Sequence, residues 1–547
     1  MYKRQEGPAI SELGALSFTS APETSGSAEV EVFQSSGGGR ESLGTFFIFV
    51  SPIVHYVDAS RPSGGNGVSW TQAWTRLSDA LLQANEGDEI RVAQGTYFAD
   101  RAPDPLATFR LRRGVSIRGG FDGDESEPDP RDASARSTLS GHFSGDDPVR
   151  RGAYHVVSAN LLDFIDESSL LESLLITGGV ASGQGQDANG AGLWLRAASP
   201  TLRHLAVIDN VAVDSGAGLY LSSCQSVMDR CFIGGNFAGD SGGGIFIGSG
   251  CDLQLANSII SGNRSVGFSG GGGVDSPTSD STFQMINCTV SGNRATRLVA
   301  GIASRNFSSS VSNSIIFGNT LDQGGTTPNL DPNWFRDSRI RNTLFSENLN
   351  EDLPGNPFGD PLFVDPDGPD GVLGTLDDDY RLLLSSPALD TGDLSLLPAN
   401  VTLDYQLQPR VENLHIDLGA LEGAMPARFS LLHPNLDREG DANQNGRSNF
   451  HDYALGGNPE AASQTSLEPM FIGNRFFYFI RNNDPTLSTR FEKSFDLRSW
   501  DDFRETTDFT IQIPAEIQGG KIRHEVELVV PNPKRIFLRQ IIGESGN

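Results

Sequence analysis

The amino-acid sequence predicts an all-β protein built around a parallel β-helix, a solenoid of stacked coils. A glycine-rich phrase followed by a short apolar strand recurs with steps of 26, 26, 29 and 28 residues. A period of this length with two or three alternating strands is typical of a solenoid. Gly, Asn and Ser turns between β-branched strands favour a β-helix over a leucine-rich repeat. The first apolar residues of the phrase are Leu193, Leu219, Ile245, Val274 and Ile302.

A second phrase keeps the same period and ends on asparagine. Successive coils stack at about 4.8 Å, so equivalent positions lie above one another. Asparagine tolerates the left-handed conformation of a corner and can stack into hydrogen-bonded ladders. The corner residues are Asn210, Asn236, Asn263, Asn293 and Asn319, with a sixth copy at Asn348.

Small side chains recur two residues before the apolar position that leads into each asparagine corner. This register predicts an inward ladder of buried small residues. Two of the four cysteines belong to it, and the other two, Cys224 and Cys251, lie near equivalent turns where they can pair. The ladder consists of Cys231, Ser258, Cys288, Ser314 and Thr343.

Charge and composition exclude several classes of function. The 547-residue chain has a net charge of −28, which repels phosphate backbones and therefore predicts no nucleic-acid partner. Such a surface suits cations, above all calcium, or neutral and cationic partners. No stretch is apolar for long enough to span a membrane. Lysine is absent between Lys3 and Lys493, so no amine in the solenoid can act as a base.

The N-terminal segment, residues 1–54, has no signal-peptide core. We expect the natural chain to begin upstream of Met1, which leaves this segment incomplete or partly disordered. Its apolar stretch at 46–54 is predicted to form a strand rather than a membrane anchor.

Characteristic stretches lie on both sides of the repeat. Before it come HYVDASRPSGGNGVSW and WTRLSDALLQA, and the second, residues 74–84, has the periodicity of a helix that would cap the solenoid. After it come DPLFVDPDGPDGVLGTLDDDYRL, LDYQLQPR and HIDLGALEG. Together these stretches resemble the pectin-lyase-like superfamily, and within it the bacterial exported proteins with a choice-of-anchor C-terminal region. The resemblance covers residues 55–423 and implies a right-handed β-helix of roughly eleven coils. It says little about activity, because this fold carries lyases, hydrolases, esterases, adhesins and binding proteins.

A calcium loop is predicted in the linker at residues 424–460. DANQNGRSNFHD has oxygen side chains at loop positions 1, 3, 5, 9 and 12, glycine at position 6 and a carbonyl ligand at position 7. Aspartate at position 12 makes the segment resemble a dockerin-type loop, although a dockerin has two such loops. The alternative is an Asn/Asp-rich turn without metal. The predicted structural calcium ligands are Asp441, Asn443, Asn445, Arg447, Asn449 and Asp452.

Residues 461–547 alternate in the manner of antiparallel strands, as in FFYFIRNN and HEVELVV. They resemble the small β-sandwich-like C-terminal module of many bacterial exported proteins. The resemblance implies a role in attachment or spacing.

The sequence identifies no catalytic residue. The NTD, GHG and RIK motifs of polygalacturonases and the WIDH and RxPxxR motifs of pectate lyases are all missing.

Four residues are candidates for substrate binding. Trp194 and Tyr220 follow equivalent leucines on successive coils, with Phe246 next, so they either face the core or form an outward strip for sugars. Arg203 and Arg230 lie 27 residues apart and either bind uronates or are solvated surface charges.

These observations predict an exported or cell-surface monomer that binds a polysaccharide or cell-surface glycan, as a non-catalytic adhesion or binding protein. Two alternatives stay open. One is a polysaccharide lyase or glycoside hydrolase with its site on the lateral face of the β-helix. The other is a purely structural surface protein.

Overall fold

The computed structural model describes most of the chain in two compact units. One unit comprises Met1–Pro361, Asp365–Asp379 and Asp390–Glu422, and the other Leu362–Val364, Tyr380–Leu389 and Gly423–Asn547. The described residues are 26–36, 39–50, 52–99, 103–124, 135–143, 152–267, 270–306, 308–322, 330, 339–346, 356–383, 386–411 and 416–423, and then 470–472, 475–481, 487–494, 501–502, 509–518, 521–528 and 537–544.

The first unit contains a parallel β-solenoid of the right-handed type, as predicted. Each complete coil adds one strand in turn to sheets 1, 2, 3 and 4, and all pairing within these sheets is parallel. The sheets contain ten, nine, six and seven strands, so the solenoid has about eight turns rather than eleven. The estimate of eleven was too high, because no sheet of the described residues contains more than ten strands.

Sheets 1 and 2 form adjacent sides of each coil. Sheet 1 consists of Val54–Val57, Glu89–Ala93, Ser116–Phe121, Leu170–Glu172, Thr201–Arg203, Val227–Asp229, Asp252–Ala256, Thr282–Ile286, Ser310–Ser312 and Ile340–Arg341. Sheet 2 consists of Thr96–Phe98, Ser137–Ser140, Leu174–Thr177, Ala206–Ile208, Phe232–Gly234, Ile259–Ser261, Thr289–Ser291, Ile315–Phe317 and Leu344–Phe345.

Sheets 3 and 4 complete the coil. Sheet 3 consists of Val180–Ala181, Val211–Ala212, Phe237–Ala238, Arg264–Ser265, Arg294–Ala295 and Thr320–Leu321. Sheet 4 consists of Phe109–Arg110, Val157–Ala159, Leu193–Arg196, Leu219–Ser222, Ile245–Ile247, Val274–Ser276 and Ile302–Ser304.

Helical structure is scarce in the described residues. The α-helix Leu77–Gln83 lies inside the predicted 74–84 helix, and its Leu77, Ala80 and Leu81 side chains join the hydrophobic core. Its role as a cap stays a prediction. The 3₁₀-helices are Trp70–Gln72, Leu161–Asp163, Gly185–Ala188 and Leu394–Leu396.

Other strands flank the solenoid in sequence. An antiparallel hairpin pairs Gly26–Ser36 with Gly39–Val50, which confirms that the apolar N-terminal stretch contains a strand. Phe363–Asp365 and Asp379–Leu382 form a two-stranded sheet. A four-stranded sheet contains Met470–Ile472, Arg475–Arg481, Lys521–Leu528 and Phe509–Gln518. A three-stranded sheet contains Asp501–Asp502, Leu487–Ser494 and Phe537–Glu544. Their antiparallel pairing agrees with the predicted alternation, whereas the attachment module stays a prediction.

The repeated apolar positions fill the solenoid interior, as the sequence predicted. Leu193, Leu219, Ile245, Val274 and Ile302 lie at one register of sheet 4, and all are buried. Side chains alternate between the two faces of a strand, so the residue after each of them points outward.

The asparagines form the predicted ladder inside the solenoid. Asn263 donates from Nδ2 to Asn293 Oδ1 (2.9 Å) and to Ile233 O (2.8 Å). Its own Oδ1 accepts from the backbone N (3.1 Å) and Nδ2 (2.9 Å) of Asn236. The same pattern runs from Asn210 to Asn319, whereas Asn348 lies outside the described residues.

The left-handed corner residue is not the ladder asparagine itself, contrary to the sequence interpretation. It is the residue before, usually glycine, as at Gly262 with φ +62°. Asparagines take the left-handed conformation at a different corner, between sheets 1 and 2. These are Asn257, Asn287, Asn313 and Asn342.

A C-terminal strap, described for residues 390–411 and 416–422, folds back onto the outer face of sheet 2. Asn313 holds it with both ends of its amide, because Oδ1 accepts from Asp393 N (2.9 Å) and Nδ2 donates to Asp393 O (3.0 Å). Further along the strap, Ala420 N donates to Thr289 Oγ1 (3.1 Å). The strap therefore covers the part of this face around Thr289 and Ile315.

Arg410 anchors the strap although it is fully buried. Its Nη2 donates to Asp417 O (3.0 Å) and Gly419 O (2.6 Å), and its Nε lies 3.5 Å from Glu422 Oε2. Burial raises the pKa of Glu422 to about 9, and the guanidinium opposes that rise. Asp404 is also buried, and its Oδ2 accepts from Glu422 N (2.8 Å).

Replacing Asn263 by alanine should lower the free energy of unfolding by about 3 kcal/mol, because Ile233 O and two donors of Asn236 lose buried partners. Urea unfolding measures the change. The exposed Asn66→Ala is the control, and equal effects of the two substitutions would contradict the ladder's role.

An Arg410→Met substitution should destabilise the protein by roughly 3 to 5 kcal/mol, because it leaves Asp417 O and Gly419 O without their buried donor and removes one partner of the buried contact with Glu422. Thermal unfolding and protease cleavage within 390–422 report the loss. The exposed Arg196→Met variant should behave like the wild type. A stable Arg410→Met variant with an intact strap would show that the anchor is dispensable.

Candidate functional site

The structure does not bring the four predicted substrate-binding residues together. Trp194 and Tyr220 lie on sheet 4, whereas Arg203 lies on sheet 1 and pairs in register with Asp229. Arg230 follows at the corner with φ +55°. Each arginine has its own carboxylate, since Arg203 Nη1 lies 3.5 Å from Glu172 Oε1 and Arg230 Nε lies 3.0 Å from Asp229 Oδ2.

Trp194, Tyr220 and Phe246 form an aromatic ridge on the outer face of sheet 4. They occupy one register on three neighbouring strands, and the residues on either side of each of them point into the core. The three side chains therefore point away from the core, and their use as a strip for sugars stays a prediction. Trp194 is nevertheless only 6% exposed, because the His155 ring stacks on it with centroids 5.5 Å apart.

The rings of Tyr220 and Phe246 stack on each other and remain partly exposed. Their centroids are 5.1 Å apart and their planes differ by 7°. Because the two stacked ring faces cover one another, those faces are not available to a ligand. Burial, and next the charge of Asp214, raise the pKa of Tyr220, so the hydroxyl stays a hydrogen-bond donor.

Glycines let the preceding turn pass close to the ridge. Gly190 has φ +64°, and a Cβ there would lie 2.9 Å from Tyr220 Cβ and 3.0 Å from Trp194 Cβ. Gly216 occupies the equivalent place beside Phe246. A larger residue at either position would push the turn away from the aromatic rings.

An acidic row lies in the turns before the ridge strands, with one aspartate per coil. Asp187, Asp214 and Asp240 belong to it, and Asp240 N donates to Asp214 O (3.0 Å). Asp214 is exposed and the other two are half-buried. Asp187 Oδ1 lies 3.7 Å from His155 Nε2. Burial lowers the pKa of His155, so its ring is neutral at pH 7.

Asp275 continues the outward register after Phe246 but is buried, with 2% exposure. Its Oδ2 has no hydrogen-bond partner among the described residues, and its carboxyl group bonds to Ser241. Ser241 Oγ lies 3.4 Å from Ser215 Oγ, which donates to Asp214 Oδ1 (3.3 Å). Burial, opposed by the Ser241 hydrogen bond, raises the pKa of Asp275 to about 7.

This face combines apolar ring edges with hydrogen-bonding groups of both kinds. Carboxylates of the acidic row can accept from hydroxyl groups, and on the other side of the ridge lie the exposed Arg196 and, at its register, Ser222. Binding sites for small polar ligands combine such apolar surface with a few polar groups. The arrangement suits a neutral, hydroxyl-rich ligand, because the acidic row would repel a polyanion.

The sequence carries a signal for the acidic row, although it belongs to none of the catalytic motifs. Asp214 and Asp240 each lie five residues before the first apolar residue of their phrase, Leu219 and Ile245. No comparable signal marks Asp275 or His155, because their placement depends on how turns pack over the ridge.

The predicted calcium loop at residues 441–452 lies outside the described residues. Within the described part of the chain, no three His, Cys, Asp or Glu side chains gather in a group that could hold a metal ion. No described helix is long and apolar enough to cross a membrane.

No family model and no curated protein matches this chain. Among solved structures, pectate lyase Pel9A is similar, with 14% sequence identity and a TM-score of 0.40 over 68% of this chain and 96% of that chain. XylC in complex with xylose is also similar, with 12% identity and a TM-score of 0.30 over 61% of this chain and 65% of that chain. At these values the likenesses carry no argument about function.

An Asp275→Asn substitution should remove a pH dependence of stability. The folded-state pKa of about 7 lies above the unfolded value, so the wild type loses stability as pH rises from about 4 to about 7. The variant should match the wild type near pH 4 and exceed it by up to about 4 kcal/mol at pH 8. Urea unfolding at both pH values measures this. A difference that is the same at the two pH values would contradict it.

Proposed function

We propose that the protein binds a neutral polysaccharide or cell-surface glycan along the outer face of sheet 4, without cleaving it. The observation that carries this proposal is the pairing of two rows at the same one-per-coil period. The aromatic ridge supplies apolar edges, and the acidic row supplies acceptors beside it. Groups that repeat once per coil can contact successive sugar units of a polysaccharide.

Two features of the ridge determine how a glycan would bind. The rings of Tyr220 and Phe246 stack face to face. A sugar would therefore contact ring edges and the Tyr220 hydroxyl rather than these ring faces. Asp214 is exposed beside them and can accept hydrogen bonds from sugar hydroxyls. Hydrogen bonds to a charged acceptor are stronger than those between neutral groups.

Binding is favoured over cleavage because of the position of the perturbed acid. Asp275 has the raised pKa that a general acid needs. A carboxyl group that is 2% exposed cannot reach a polysaccharide lying on this face. Lyase or hydrolase activity is the alternative that the experiment below distinguishes.

The proposal includes an exported or cell-surface location and a structural calcium ion. The net charge of −28 and the loop at residues 441–452 support the calcium ion, which Asp441, Asn443, Asn445, Asn449 and Asp452 would hold with the carbonyl of Arg447. In this proposal the residues after 423 serve as a choice-of-anchor-like attachment region. The protein would act as a monomer.

Affinity gel electrophoresis with and without calcium tests this function. Gels containing neutral polysaccharides should retard the protein more than gels containing uronate polymers. Assays of reducing ends and of unsaturated products run in parallel, and no product is expected. Product from any polymer would establish the enzymatic alternative, and no retardation in any gel would favour a structural protein.

Replacing Tyr220 by alanine should weaken binding to the best polysaccharide at least about fivefold, which corresponds to about 1 kcal/mol. The substitution removes the hydroxyl and ring of a partly exposed side chain and uncovers one face of Phe246. Phe98→Ala, on sheet 2, is the matched aromatic control and should bind like the wild type. Equal affinities of wild type and Tyr220→Ala would exclude the ridge as the binding surface.

A further inference from the structure

We propose that Cys224 and Cys251 form a disulfide bond that links two neighbouring coils, whereas Cys231 and Cys288 stay thiols. All four cysteines are buried and carry free thiols in the structure. The inference concerns a covalent modification and does not depend on the proposed glycan ligand.

The two linked positions lie directly above one another. Cys224 follows strand Leu219–Ser222, and Cys251 precedes strand Asp252–Ala256 in the corresponding turn of the next coil. The backbone N of Asp252 donates to Cys224 O (2.8 Å), which places the two turns in contact. The two thiols are close enough for each to shift the pKa of the other. A coil spacing of about 4.8 Å lies within the Cα separations that disulfides span.

The other two cysteines lack this geometry. Cys231 and Cys288 share a register, but Ser258 occupies the coil between them, since Cys231 N donates to Ser258 Oγ (3.1 Å) and Thr289 N donates to Ser258 O (2.9 Å). Two coil spacings amount to about 9.6 Å, which exceeds the reach of a disulfide. Burial also raises the pKa of both thiols to about 12, so they remain protonated.

Thiol–disulfide exchange with a small disulfide such as oxidised glutathione would form the bond. The neighbouring Cys251 lowers the pKa of the Cys224 thiol, which therefore supplies the attacking thiolate. The Cys224 thiolate attacks one sulfur of oxidised glutathione and releases one glutathione thiolate. The Cys251 sulfur then attacks the mixed disulfide and releases the second. Two protein thiols are oxidised, one small disulfide is reduced, and the two protein protons pass to the released thiolates.

The bond would connect the coils that carry the stacked pair of rings. Tyr220 precedes Cys224 on one coil, and Phe246 precedes Cys251 on the next. A covalent link at this edge of sheet 4 would hold the two ring positions in register. Burial of both sulfurs means that the exchange takes place before the coils have closed or during local opening.

Mass spectrometry of the full-length protein tests the proposal. The protein is equilibrated with a mixture of oxidised and reduced glutathione, denatured and alkylated. Cleavage before aspartate then separates the four cysteines, because Asp229, Asp240 and Asp252 fall between the first three, and Asp280 precedes Cys288. The expected result is one cross-link, between the fragment 214–228 and the fragment 240–251, with Cys231 and Cys288 alkylated.

Four alkylated cysteines at equilibrium, or a cross-link that includes Cys231 or Cys288, would overturn the proposal. Cys224→Ser and Cys251→Ser should each leave three alkylated thiols and no cross-link, and Cys231→Ser should retain the bond. If a serine variant fails to fold, the wild-type fragment map still decides. Reduction should lower the thermal midpoint of the wild type but not that of a Cys224→Ser/Cys251→Ser double variant.

Discussion

The in-register stacking of coils is the constraint on which the rest of this structure depends. Each coil hydrogen-bonds through its backbone to the next, and the buried asparagines repeat that pattern with side chains, so a shift of one coil would leave several polar groups unpaired. Because each coil of a solenoid contacts only the neighbouring coils, the stability of the whole is a sum of contributions from single coils and from the contacts between neighbours. The same stacking converts a sequence period into rows on the surface.

The rows on the outer faces of the sheets differ in their exposure to solvent. On sheet 2 the C-terminal strap covers the outer face around Thr289, and the buried Arg410 and the corner asparagine Asn313 hold it in place. On sheet 4 the outer face keeps two partly exposed rings and an acidic row. The strap thus covers part of one lateral face, whereas the ridge remains accessible to a ligand.

The sequence predicted the fold well because a solenoid is a one-dimensional repeat. The apolar positions from Leu193 to Ile302, the asparagine ladder and the buried small residues followed from period and alternation alone. It could not predict what covers the outer faces. Trp194 is outward yet buried because His155 stacks on it. Arg203 and Arg230 separate because Arg203 lies in sheet 1, whereas Arg230 is itself the corner residue with positive φ. Such contacts join residues of different coils and turns that no local pattern connects.

Hydroxyl-radical footprinting of the full-length protein, with and without the polysaccharide that retards it most, tests the central claim most directly. Oxidation of the partly exposed Tyr220 and Phe246 should fall on binding, whereas that of Phe98 on sheet 2 should not change. Protection at those positions would place the ligand on the ridge of sheet 4. Unchanged oxidation of Tyr220 and Phe246, with protection elsewhere, would contradict the claim that this ridge is the glycan-binding surface.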